Sequence, residues 1–386
     1  MPCRRTVHTT SSDKPCPRRF GHSRSLVHGN GQFIHHTKCR SSGRSRGSFL
    51  RHSHCDGTYI VEYPFKENSP PIHQTLQQAC MRLKFMEKKF RLSPELKEQY
   101  TEFMGEYLTL GHMEKLSAQQ RQQNTGSCFY LPHHAVFKPD SITTKCRVVF
   151  DGSSKDSSCV SLNHRLHVGP PIQRDLFAVS LRFRQHRFVF CVDIEKMFRG
   201  IRVSKEHTDF QKIVWRTDEN APIEHYRLLT VTHGLTSSPF LAVRVLKQLA
   251  DDYKNEFPIT SHVLINDVYV DDILTAYNST EDLIKTKDEL VSLLTKAKFC
   301  LRKWSSNCWP LLSTLPIELR EYNPVDLNCK SIDTFVKVLG VQWNPCTDEL
   351  SLKIKSMKCV KEPTKRSVLS EMSKIYDPLG IVWPRF

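Results

Sequence analysis

The chain has 386 residues, 39% of them hydrophobic, enough for two or three packed subdomains with real cores. Its 56 Lys and Arg outnumber 40 Asp and Glu for a formal net charge of +16, which favours a polyanionic partner, though charge alone does not separate nucleic acid from an anionic membrane surface. The apolar run Phe188–Val192 falls far short of the roughly 18 residues of a helical membrane span, and the N-terminus lacks the apolar stretch of a signal peptide, so the 14 cysteines read as reduced thiols in an intracellular protein rather than as disulfides.

In chain order, residues 1–50 are rich in Arg, Ser, His and Gly without hydrophobic periodicity, and read as a disordered basic tail. Asp56-Gly57 is a turn dipeptide ahead of a strand at Thr58–Tyr63. Thr75–Leu92 carries Leu76, Ala79, Cys80, Leu83, Met86 and Phe90 at helical spacing. Ser93-Pro94 then supplies an N-cap and first-turn proline for a helix holding Leu96, Tyr100, Phe103, Met104 and Tyr107. From Phe129 to Phe150 the pattern is strands and loops, and 171–187 looks helical. Phe188–Ile194 suits a buried strand. Ser238-Pro239 opens a helix to about Tyr253, and Val263–Tyr269 with Ile273–Tyr277 reads as two strands about a tight turn. Ser279 heads a helix with Leu283, Ile284, Leu290, Val291, Leu294 and Ala297. A strand at Phe335–Trp343 and a helix from about Thr364 close the series. The mixed order favours an α+β fold. With no CxxC pair, a structural zinc site is unsupported.

Three acids stand at strand ends: Asp193 closes the run from Phe188, and Asp271-Asp272 occupy the bend of the hairpin. A bare Asp-Asp is also an ordinary turn pair. Adjacent acids within an apolar hairpin are costly to bury unless a cation offsets them. With a third acid they suit hard divalent ions that keep positions open for phosphate oxygens and water.

The company of these acids carries a resemblance. Tyr269-Val-Asp-Asp272 resembles the Y-x-D-D box of reverse transcriptases, and Val192-Asp193-Ile194-Glu195-Lys196-Met197-Phe198 resembles their first palm motif. His233-Gly-Leu-Thr-Ser-Ser-Pro239 is similar to the helix-opening motif before Y-x-D-D, and Phe137-Lys-Pro-Asp140 with Lys145–Asp151 to the fingers strands. More narrowly, Tyr130–Val136, Arg147–Asp151, Arg302–Asn307, Leu339–Trp343 and Lys365–Gly380 resemble the Bel/Pao class of LTR retrotransposons, as does the helical lead-in ending in Tyr107–Met113. The resemblance covers roughly residues 55–386.

It implies a right-hand polymerase with an antiparallel palm sheet backed by helices, joining deoxynucleotides to a primer 3′-hydroxyl on an RNA or DNA template. Two Mg²⁺ (or Mn²⁺) ions are implied, on Asp193, Asp271, Asp272 and the backbone of Ile194. Phe198 matches the aromatic gate against a 2′-hydroxyl, with plain packing as its other reading. Lys138, Lys145 and Arg147 would hold the triphosphate, and Lys303 would act as general acid or belong to a strand edge. His233 stands where a glutamine is usual, and Gly200 where a larger polar residue is common. The implied layout is a tail at 1–50, a lead-in at 51–125, fingers at about 126–187, a palm at about 188–345 and the start of a thumb at about 346–386. Protease, RNase H and integrase are expected in a full-length element and are not visible here. The implied location is cytoplasmic, in a virus-like particle, with nuclear access. The rival reading is a truncated, inactive remnant that only binds nucleic acid.

Overall fold

A computed structural model describes residues 53–122, 128–137, 146–322, 335–352, 364–378 and 380. The expected tail at 1–50 and the candidate residues Lys138 and Lys145 lie outside them.

The described chain opens with the hairpin β1 (Ser53–Cys55) and β2 (Thr58–Val61), turned by Asp56 and Gly57, both at positive φ. Helices α1 (Leu76–Leu92) and α2 (Pro94–Thr109) meet at Ser93, whose side chain accepts from the Leu96 N–H and caps α2. Strand β3 (Met113–Lys115), the short α3 (Ala118–Gln122) and the hairpin β4 (His133–Phe137) and β5 (Cys146–Phe150) follow. Next come α4 (Leu162–Arg165), α5 (Leu176–Phe183) and β6 (Phe188–Glu195), then β7 (Arg202–Val203), α6 (Lys205–Thr208), β8 (Lys212–Trp215) and β9 (Glu224–Leu228). Helices α7 (Ser238–Asp252) and α8 (Pro258–Asn266) precede β10 (Val268–Tyr269) and β11 (Asp272–Tyr277). Then α9 (Thr280–Lys296), β12 (Cys300–Ser306) and α10 (Trp309–Ser313) lead to β13 (Val336–Val338), β14 (Val341–Asn344), β15 (Glu349–Ser351) and α11 (Lys365–Met372).

The centre is a four-stranded antiparallel sheet in the order β10-β11-β6-β12. Strand β6 is covered on both faces, which is why it reads as a continuous apolar run rather than an alternating one. Phe190, Val192 and Ile194 join the large core together with α7, α8 and α9 residues such as Leu246, Leu264 and Leu290. On the opposite face Val189, Cys191, Leu274 and Ala276 pack with Val179 and Phe183 of α5 and with Val336, Val338 and Trp343 of β13 and β14. The lead-in is woven into this body: β2 pairs in parallel with β7, and β3 pairs with β9.

Three elements differ from the sequence reading. Val263–Asn266 is the end of α8 rather than a strand, because Pro258 opens a helix whose Thr260, Ser261, Val263 and Leu264 face inward; a short β-branched run does not separate the two by period. The expected strand Phe335–Trp343 is a hairpin, bent at Leu339 and Gly340, both at positive φ. The helix over 171–187 shrinks to α5, which starts only after Pro170-Pro171, where Asp175 accepts from the Phe177 N–H. Among the described residues no helix is long and apolar enough to cross a membrane.

Candidate active site

Strand period builds the site. On β6 and β11, the face holding Val189, Cys191, Leu274 and Ala276 continues to Asp193 and Asp272. These two are register partners, directly opposite across the strands. Asp271 comes from the turn between β10 and β11, where Val270 adopts φ 57. A β-branched residue at positive φ is strained, and the surrounding pairing enforces it: Tyr269 opposes Asp272, and the Ile194 N–H donates to the Asp271 carbonyl at 2.9 Å. One carboxylate oxygen from each of Asp193, Asp271 and Asp272 lies within 4.8 Å of the others.

The arrangement is electrostatically tense. Burial, then the charges of Asp271 and Asp193, push the Asp272 carboxyl up to about 7. Burial also raises Asp193, against the lowering effect of Lys303, with Asp271 raising it further. The Asp193 side chain remains 24% exposed, and Lys303 Nζ lies 3.7 Å from its Oδ2. An all-oxygen donor set that converges and repels itself fits a hard divalent cation, which would relieve the repulsion. Lys303 reaches Asp193 from a β-bulge between Arg302 and Ser305, with φ 58 at Lys303 itself. The bulge re-aims this side chain; regular strand period from β12 alone would not forecast it.

A second group of candidate residues gathers around Phe198 and His233. Phe198 sits in a 3₁₀ turn, Met197–Gly200, entered through Lys196 in the left-handed conformation (φ 50). Its ring centroid is 4.4 Å from that of His233. Desolvation, then Arg199 and Arg147, lower the His233 imidazole to about 4, so it is neutral at physiological pH. Arg147 is exposed on β5, opposite Val136. Gly234 has φ +99, and a Cβ there would stand 1.9 Å from the Phe150 carbonyl oxygen. Gly200 has a packing reason too: a Cβ would meet the Phe299 ring at 2.7 Å.

The structure adds a residue that the sequence alone does not single out. Asn163 Nδ2 donates to the Gly234 carbonyl (3.0 Å) and to Ser153 Oγ (2.9 Å), while its Oδ1 accepts from the Thr236 N–H (2.9 Å). It clamps the loop carrying His233 to the end of β5. Its only sequence signal is a lone Asn after Leu162, indistinguishable from a surface residue.

An antiparallel sheet with acids at the tip of adjacent strands and helices packed against it is the palm arrangement of a right-hand polymerase. Residues 146–305 match the family model described as reverse transcriptase (RNA-dependent DNA polymerase). Over this segment the chain is similar to a reverse transcriptase domain. Among solved structures it is similar to the prototype foamy virus protease-reverse transcriptase, in its CSH mutant, at 15% identity over 63% of this chain and 26% of that one, with a TM-score of 0.43. A foamy viral protease-reverse transcriptase with an RNA/DNA hybrid gives 15% identity, 65% and 26% coverage and a TM-score of 0.43. The dRH form with double-stranded DNA gives 14% identity, 84% and 44% coverage and 0.47. The chain spans less than half the length of these proteins. No curated protein matches it.

Proposed function

We propose that this chain is the polymerase part of an RNA-directed DNA polymerase from an LTR retroelement of the Bel/Pao class, and that it adds deoxynucleotides to a primer 3′-hydroxyl on an RNA or DNA template. The observation that carries the reading is the convergence of Asp193, Asp271 and Asp272 at the tip of the central sheet, inside the segment that matches the reverse transcriptase model.

Asp193 and Asp271, with the backbone carbonyl of Ile194, would hold Mg²⁺ or Mn²⁺, and Asp272 would support the second ion or the primer end. Two such ions supply activation of the attacking hydroxyl and stabilisation of the leaving pyrophosphate. The protein's own part is positioning. Arg147 offers a planar fork to phosphate oxygens, which Lys138 and Lys145 assist as point charges. Phe198 packs under the incoming sugar and excludes a 2′-hydroxyl, with neutral His233 against its ring. Lys303, held beside Asp193, delivers a proton to the departing pyrophosphate.

In this reading residues 51–125 are a lead-in, 126–187 fingers, 188–345 palm and 346–386 the start of a thumb. The full element would add protease, RNase H and integrase, and work in a cytoplasmic virus-like particle with access to the nucleus. The test is primer extension on an RNA template with deoxynucleotides and Mg²⁺ or Mn²⁺, beside Asp271→Asn. Extension by the parent and none by the variant is expected. A folded parent that binds duplex but extends nothing would replace this reading with a binding remnant.

A further inference from the structure

The lead-in helix α2 reaches the catalytic body through one face. Phe103, Glu106 and Tyr107 lie at i, i+3 and i+4, so they share that face. Glu106 Oε1 accepts from Lys196 Nζ, and its Oε2 from Arg199 Nη1 at 3.2 Å. The Arg199 guanidinium lies 4.2 Å from the Tyr107 ring centroid and 5.0 Å from that of Phe103. Its side chain is only 10% exposed. Burial would raise the Glu106 carboxyl, but the bonds and charges of Lys196 and Arg199 hold it below its usual value. Lys196 immediately precedes the 3₁₀ turn that carries Phe198, and Arg199 lies within it.

The same helix also touches the end of β5. The Tyr107 ring stands edge-on to Phe150, with centroids 5.8 Å apart. The Phe150 carbonyl is what a side chain at Gly234 would strike, and Gly234 follows His233. Helix α2 thus contacts both segments near the Phe198–His233 pair, the turn through Lys196 and Arg199 and the end of β5 through Tyr107.

We infer that Glu106 is a positioning residue: it fixes the turn that carries Phe198, and so sets the width of the nucleotide pocket and its selectivity for deoxynucleotides. A carboxylate that accepts from the residue entering a short turn and from a residue within it removes that turn's freedom to slide, and a left-handed Lys196 needs such support. The inference rests on the polymerase reading given above for its kinetic meaning, but its structural content does not.

The experiment compares the full parent chain with Glu106→Gln and with Glu98→Gln, an exposed position on the same helix. Amide hydrogen exchange is read at 196–201 and at 233–236 without nucleotide. Extension kinetics are read with deoxy- and ribonucleotides. In Glu106→Gln, exchange at 196–201 accelerates, the deoxynucleotide KM rises several-fold with kcat little changed, and discrimination against ribonucleotides falls by about tenfold. Glu98→Gln behaves as the parent. Unchanged exchange in Glu106→Gln overturns the inference whether or not the chain polymerises. Faster exchange with unchanged KM and selectivity overturns its kinetic half. A parent that extends nothing refutes the polymerase reading instead, and exchange alone then decides whether Glu106 holds the turn.

Discussion

Asp193 and Asp272 face each other across neighbouring strands, and like charges set directly opposite are destabilising. The fold carries that repulsion within its carboxylate cluster, a cost that functional sites commonly bear. Asp272→Asn is therefore expected to raise the thermal unfolding midpoint in excess chelator, by about 1 kcal/mol in stability, while impairing extension. A midpoint that stays put or falls would contradict the repulsive pair. His133 shows the opposite case, a titratable group used for packing. It is buried; its Nε2–H donates to the Val214 carbonyl at 2.8 Å, and its Nδ1 accepts from the Tyr100 hydroxyl. Burial lowers its pKa to about 4, although its bond to Val214 opposes this. The folded state then refuses a proton that the unfolded chain accepts below its ordinary pKa of about 6.5. Stability is retained above that pH and lost as pH falls toward 4, by up to about 3 kcal/mol for this one residue. His112 and His233, also lowered to about 4, add to the same slope. Urea unfolding at a series of pH values checks this: His133→Gln should flatten the slope between 6.5 and 4, and an unaltered slope would rule His133 out as a contributor.

At the scale of elements, the connection between β5 and α4 is held by a buried ion pair. Arg165 Nη2 donates to Asp156 Oδ2 at 2.6 Å and to the Pro71 carbonyl at 2.7 Å, and both side chains of the pair are almost wholly enclosed. Burial would raise the Asp156 carboxyl, but bonds from Ser158, His73, Val160 and Arg165 hold it well below the usual carboxylate range. Removing one member of such a pair leaves an uncompensated buried charge. Asp156→Ala should cost about 3–5 kcal/mol, read by urea unfolding at neutral pH. A loss under about 1 kcal/mol would mean that water replaces the carboxylate, as at a surface pair. The same network fixes the segment that presents Asn163 to the His233 loop, so the damage should also reach the pocket.

For the whole molecule, the excess of cations is the property that bears on partners. If six or more phosphates are met by Lys or Arg, affinity for a primer–template duplex should fall on the order of 10³-fold between about 50 and 200 mM salt. A flat titration across that range would argue against a groove that tracks phosphates. The lead-in belongs to this body in a physical sense, since β2 and β3 supply strands to β7 and β9.

Much of this was legible in the chain because local pattern and local chemistry coincide there. The buried run ending in Asp193, the Ser93-Pro94 and Ser279 helix starts and the hairpin acids each follow from side-chain period, capping or turn preference over a few residues. Where two structures share a local pattern, the sequence left the choice open: Val263–Asn266 became helix because α7 and the sheet offered its inward face a place to pack, and Leu339-Gly340 became a turn through its left-handed backbone. The positions of Lys303, Asn163 and Glu106 belong to the tertiary structure alone. Each acts through a partner far away in sequence, brought near by a bulge, a loop clamp or a helix docking, and no local signal encodes such a meeting. Sequence determined which acids stand at strand ends; only the register of β6 against β11 decided that they converge.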